Sequence, residues 1–162
     1  MGLCRWLRPL VKDSLPLAIN RSTINTTMRA REFTSNSETK EQFMDMFSKF
    51  LPLAMEVIEL KSLPRMIFMT DVDSPGQPTF GQYDNGEHTL SVALANRHPV
   101  DILRTVAHEL VHYKQDTEHQ LNVDSGQTGS PEENQANQVA GVVMRHFNKR
   151  YPEFLKSKPI IA

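Results

Sequence analysis

The spacing of hydrophobic positions changes several times along the chain, and each change marks an element. Phe43, Phe47, Phe50, Ala54 and Ile58 recur every three or four residues, the period of one face of an α-helix. Ser35-Asn36-Ser37-Glu38 stands ahead of them as a capping box. Pro52 lies inside the pattern and has no amide to give the helix, so a kink or a split is expected there. "RMIFMT" (65–70) is short, apolar and preceded by Pro64, and reads as a strand. "DVDSPGQP" (71–78) is loop by its Pro, Gly and Asp content. "TFGQYDNGEHTLSVAL" (79–94) reads as a hairpin, with Asn85-Gly86 suited to a type I′ turn because both central residues of that turn need positive φ. Its second arm alternates Thr89, Ser91 and Ala93 with Leu90, Val92 and Leu94, so one face is buried and the other more polar.

Helical spacing returns after Pro99. Leu103, Val106, Leu110 and Val111 form the apolar stripe of a helix from Asp101 to about Glu118. "LNVDSGQTG" (121–129) is loop, and Ser130-Pro131-Glu132-Glu133 opens a second helix with Ser as N-cap, Pro at N1 and acids in the first turn. Ala136, Ala140, Val143 and Phe147 line one face of it. Two prolines after Tyr151 predict an extended tail. The order is helix, strand, hairpin, helix, helix, which predicts an α+β fold with a small mixed or antiparallel sheet against helices.

Composition sharpens this picture. The 162 residues, 39% hydrophobic, suit one soluble domain with its own core. No apolar run approaches the ~20 residues of a membrane span. A net charge of −1 gives no case for a nucleic-acid site. Cys4 is the only cysteine, so a metal would have to be held by His, Asp or Glu. Charge is uneven: Arg5, Arg8, Lys12, Arg21, Arg29 and Arg31 face a single acid, Asp13, in the first 31 residues. Residues 1–34 read as a flexible basic arm, or an extension ahead of a start at Met28, with a composition somewhat like an organellar transit peptide. The arm is a candidate surface for a protein partner. Residues 35–150 read as the domain and 151–162 as the tail. A cytoplasmic or virion-associated location is expected, organellar targeting being the other reading of the arm.

The chemistry concentrates in "TVAHELVHYK" (105–114), which contains His108-Glu109-x-x-His112. Residues four apart lie one turn apart on one helix face. His108 and His112 can therefore offer imidazole nitrogens to one ion at ~2.0–2.1 Å. Glu109 sits beside the first ligand, placed to act as general base on a metal-activated water. Catalytic zinc sites have three protein ligands and an open position. The third candidates are Glu132, Glu133, His119, Asp124 and His146. Glu133 is favoured because it heads the inward stripe of its helix, whereas Glu132 is turned ~100° away. An inward carboxylate needs a partner. Asn137, one turn on, could support a ligand histidine.

"HELVH" followed some twenty residues later by "EENQANQVA" resembles the gluzincin metallopeptidases, whose third ligand is the Glu of an E-x-x-A/S-D/N pattern. Glu133-Asn134-Gln135-Ala136-Asn137 matches that pattern, with Asn where Asp is more common. The likeness spans about Arg65 to Phe147, and this stretch is similar to the small bacterial and phage peptidases of the ImmA/IrrE type. It implies a zincin-like fold, one Zn²⁺ per chain, Glu109 as general base and hydrolysis of a peptide or protein substrate. It also implies a hairpin edge that holds an extended substrate, here near Thr89, Ser91 and Ala93. A donor for the oxyanion would be needed, with Tyr151, His146 and Tyr113 as candidates. The competing reading is a zincin-fold structural or binding module of a larger assembly, possibly phage-related, with little or no turnover. A peptidoglycan amidase finds no support in sugar-stacking aromatics, since Trp6 is the only Trp.

Overall fold

A computed structural model describes residues 28–30, 37–69, 79–122 and 124–160. The chain runs β1 (Met28–Ala30), α1 (Ser37–Ile58), β2 (Arg65–Met69), β3 (Gly81–Asp84), β4 (Thr89–Ala93), α2 (Pro99–Thr117) and α3 (Pro131–Arg150), then a short 3₁₀ helix, Pro152–Lys156. The architecture is α+β: three helices and a small mixed sheet in the order β1-β2-β4-β3. β1 pairs parallel to β2 and β2 parallel to β4, while β3 runs antiparallel to β4.

All five residues of the α1 stripe are buried. Phe43 and Phe47 meet Phe68 of β2 edge-on at 5.6 and 5.4 Å, and Phe50 meets Phe147 of α3 at 5.7 Å. One helix face thus joins the sheet to the last helix. Full burial of such side chains is worth ~1.5–3 kcal/mol each. Met66 and Phe68 of β2 and Leu90 and Val92 of β4 complete the same core. α1 continues through Pro52 as a single helix, so no split occurs. Its expected capping serine, Ser35, and the loop 71–78 lie outside the described residues.

Three expectations need correction. The hairpin does not close through a two-residue turn: Asp84 pairs with Thr89, leaving four residues, Asn85–His88, in the loop. Among those four, His88 takes positive φ (47°), not the Asn85-Gly86 pair. Asp84 Oδ1 accepts from the Gly86 and Glu87 amides at 2.8 and 3.0 Å, which stabilises the longer loop from within. β4 is also not the sheet edge. Its backbone is paired to β2 on one side and β3 on the other, so Thr89, Ser91 and Ala93 cannot take an added strand. Among the described residues, the strand at the sheet edge beside α2 is β3. Finally, the tail is not extended throughout. Pro152 starts the 3₁₀ turn as an N1 proline; Phe154 and Ile160 are buried, and Ile160 bridges to Arg97. The basic arm lies outside the described residues except for Met28–Ala30, which form β1. Among the described residues no helix is long and apolar enough to cross a membrane.

Candidate metal centre

α2 starts where Pro99 takes N1 and His98 caps it, Nδ1 accepting from the Val100 amide at 3.2 Å. Its apolar stripe (Leu103, Val106, Leu110, Val111) is buried. That anchors the helix and leaves His108 and His112 on the side facing α3. Their Nε2 atoms are 3.1 Å apart. α3 starts as the sequence predicts: Ser130 Oγ accepts from the Glu133 amide at 3.1 Å and donates to the Ser125 carbonyl at 2.7 Å. The cap fixes the turn that carries Glu133. Its carboxylate lies between the imidazoles, Oε1 3.2 Å from His108 Nε2 and Oε2 3.2 Å from His112 Nε2.

His108, His112 and Glu133 can each offer one ligand atom, all within 4.8 Å of one another. Donors around a tetrahedral ion with bonds of ~2.0–2.1 Å stand about 3.3 Å apart, close to the separations here. Protonation argues the same way. Gln115 Nε2 donates to the Glu132 carbonyl at 3.0 Å and to Gln135 Oε1 at 2.8 Å, so its oxygen faces His112 Nδ1 at 2.8 Å. Nδ1 must then carry the proton, leaving Nε2 a bare lone pair. Burial, then the neighbouring His112, holds the pKa of His108 below its ordinary value, which favours its neutral form. Two imidazole nitrogens and a carboxylate at these separations form a donor set that fits a cation.

Glu109 is 7% exposed and sits on the opposite side of His108, toward β3. Burial first, and the charge of Glu133 second, push its pKa up to about 8, while the Tyr83 amide bonds the carboxylate and works the other way. A cleft of about 440 Å³ opens between β3, His108, His112, Glu109, Glu133 and the 121–126 loop.

Gly81 makes the approach of β3 possible. A Cβ there would lie 2.4 Å from Thr105 Cγ2 and 3.0 Å from Glu109 Oε1. Thr105 has little room to yield, because Arg97 Nη2 donates to its hydroxyl at 2.7 Å while Nη1 holds the Ala93 carbonyl at 3.0 Å. Gly81→Ala should therefore cost ~1–3 kcal/mol of stability and displace Glu109. Adding Thr105→Ser, which removes Cγ2 and keeps the hydroxyl, should recover part of that loss in denaturant unfolding. Simple additivity of the two changes would contradict this contact.

The structure brings His108, Glu109, His112 and Glu133 together, and Asn137 beside them. Asn137 Nδ2 donates to the Glu133 carbonyl at 3.1 Å and to Oε1 at 3.3 Å, and its side chain also hydrogen-bonds His108. The other third-ligand candidates are outside the cluster. Glu132 contributes only its carbonyl, to Gln115, and Asp124 Oδ1 accepts from Gln127. His119 is exposed at the end of α2. None of the proposed oxyanion donors lines the cleft. At ~1.5 Å rise per residue, His146 and Tyr151 lie roughly 20 and 27 Å along α3 from Glu133. Tyr151 packs on Phe147 and Phe154, and Tyr113 shares a 2.7 Å hydrogen bond with Ser62. Cleft-lining side chains that carry an N–H or O–H include Gln82, Asn85, Asn122 and Ser125, whereas Tyr83 donates its hydroxyl to Asp116 at 2.7 Å and Thr79 to the Gly81 carbonyl at 2.7 Å.

Gln115, Gly81 and Tyr83 escape the sequence reading. Gln115 had a signal, since it follows His112 by three positions and shares its side of the helix. Gly81 and Tyr83 had none, because their place over Glu109 depends on strand register. The chain matches no family model, no curated protein and no solved structure, so the chemistry has to follow from the residues of the site itself.

Proposed function

We propose that this chain is a zinc-dependent peptidase of zincin-like fold that hydrolyses an amide bond of a peptide or protein substrate. The carrying observation is Glu109: a buried carboxylate beside a three-ligand cluster, facing a cleft bordered by an open strand edge. The likeness of its HExxH and ExxAN segments to gluzincins supports the same reading. Zinc held by His108, His112 and Glu133 supplies Lewis acidity toward the scissile carbonyl and toward a water. Glu109 accepts the proton of that water at its carboxylate and passes it to the leaving amine. Burial, the larger cause of its raised pKa in the metal-free chain, favours the proton uptake that this task begins with. Asn137 holds the Glu133 carboxylate in place. An extended substrate adds to β3 as a further strand, its backbone satisfied by the outer edge. The closeness of Gly81 to Glu109 brings that edge to the reacting bond.

The test is hydrolysis of an internally quenched peptide library by zinc-loaded protein. Cleavage is expected to stop with 1,10-phenanthroline and return with added zinc. Protein that carries one zinc per chain and cleaves nothing in the library would instead favour a metal-containing module without turnover.

A further inference from the structure

Gln115 is the one buried amide side chain among the described residues, 2% exposed, and it touches both ligand-bearing helices. Its two ends do different things. The oxygen faces His112 Nδ1 at 2.8 Å on its own helix. The nitrogen donates across to α3, to the Glu132 carbonyl at 3.0 Å and Gln135 Oε1 at 2.8 Å. Glu132 precedes the ligand Glu133 in the capped first turn. An amide has distinct donor and acceptor ends, and a backbone carbonyl can only accept. The Glu132 carbonyl thus dictates which end of Gln115 points at His112, and that end dictates where the imidazole proton sits.

We propose that Gln115 is a positioning residue for the metal centre. It holds His112 in the Nδ1–H tautomer with Nε2 free, and it locks the Glu133 turn to α2, so that the ligands from both helices are aligned before an ion binds. The nearest precedent in physical terms is the outer hydrogen bond that orients a metal-bound imidazole. Here one side chain orients a histidine ligand and the turn carrying the carboxylate ligand together. The inference rests on the metal centre but not on hydrolysis, so it is tested without a substrate.

The full chain is compared with Gln115→Met, which keeps the volume and loses both polar ends, and Gln115→Glu, which keeps an acceptor toward His112. Zinc affinity is read by competition with a chromophoric chelator, and the His112 tautomer by ¹⁵N shifts of the metal-free imidazole. Wild type is expected to show Nδ1–H. The Met variant should lose that single tautomer and bind zinc ~10–100-fold more weakly, while the Glu variant keeps Nδ1–H, loses the donation to the Glu132 carbonyl and falls between wild type and Met. If the Met variant does not fold, the Glu variant decides, and loss of the Nδ1–H tautomer there overturns the proposal. So does tight zinc binding by a folded Met variant, or an Nε2–H tautomer in the wild type. A wild type that binds no zinc removes the metal centre itself, and this inference with it.

Discussion

Glu109→Gln should abolish hydrolysis, keep the zinc and make the metal-free protein more stable. The first two effects separate a base from a ligand. Glu109 is outside the His108–His112–Glu133 cluster, so an isosteric amide leaves the ligands untouched. Removing a general base costs roughly 10²–10⁴-fold in rate, measured as kcat/KM at equal zinc content. The third effect follows from burial. In the folded, metal-free chain the Glu109 pKa is raised from 4.5 to about 8, by desolvation first and by Glu133 second. A carboxyl whose folded pKa lies above its unfolded value holds its proton more tightly when folded. Stability is therefore full below pH ~4.5, falls as pH rises toward ~8, and levels off above that. At pH 7 the cost is of the order of 3 kcal/mol. Gln cannot ionise, so its unfolding free energy should stay flatter across that window. Urea unfolding of both chelated proteins at pH 5, 6, 7 and 8 measures the difference. A parallel pH dependence in the two would mean that Glu109 is not the buried acid described here. Ordinary stability combined with lost turnover would still allow a base, but one that the folded chain does not hold in reserve. Such excess stability in a variant without activity is the usual sign of a residue kept for chemistry.

The cluster of His108, Glu109, His112 and Glu133 was legible in the sequence for a local reason. His108, Glu109 and His112 are set by one helical turn, and the direction of Glu133 by the stripe it heads, Ala136–Ala140–Val143–Phe147, all of it buried. A capped start at Ser130 fixed the phase of that stripe. These are short-range periodicities, and they survive folding because tertiary packing selects the same faces. The sheet edge was not legible. Alternation along Thr89–Leu94 says which side chains point inward, but β4 is interior because β2 comes to pair with it in parallel, across a stretch of chain that includes β3. Strand order is set by that non-local pairing. The hairpin turn failed for another reason. Asp84 offers its carboxylate to two loop amides, and that local bonding outweighs the preference of Asn-Gly for a tighter turn. The oxyanion candidates failed because residue type was weighed without distance. His146 is on the right helix but several turns too far along it, and Tyr151 lies just past its end.

Glu133→Ala should reduce zinc binding far more than loss of any supporting hydrogen bond, because it removes one of three ligands. Two histidines on one turn remain, and a fall beyond the ~10–100-fold typical of a lost supporting contact is expected. The consequence for stability follows by linkage. Zinc at a thousandfold excess over its Kd stabilises the folded state by about 4 kcal/mol, and a thousandfold weaker Kd removes nearly all of that. Thermal unfolding with and without zinc should show a large upward shift for wild type and little for the variant. Glu132→Ala is the matched control. Its side chain lies outside the cluster and only its backbone carbonyl is used, by Gln115, so zinc affinity should hold. Loss of zinc in the control with retention in Glu133→Ala would move the third ligand one residue and turn the first helical turn around. The metal-free variant carries a further signature. Glu133 is the second contributor to the raised pKa of Glu109, after burial. Without it, the decline of stability between pH ~4.5 and ~8 should become shallower but not vanish. A slope that disappears with Glu133 would make like-charge repulsion the dominant cause. A slope that persists, reduced, shows a dry pocket holding the base and a carboxylate across it waiting for a cation.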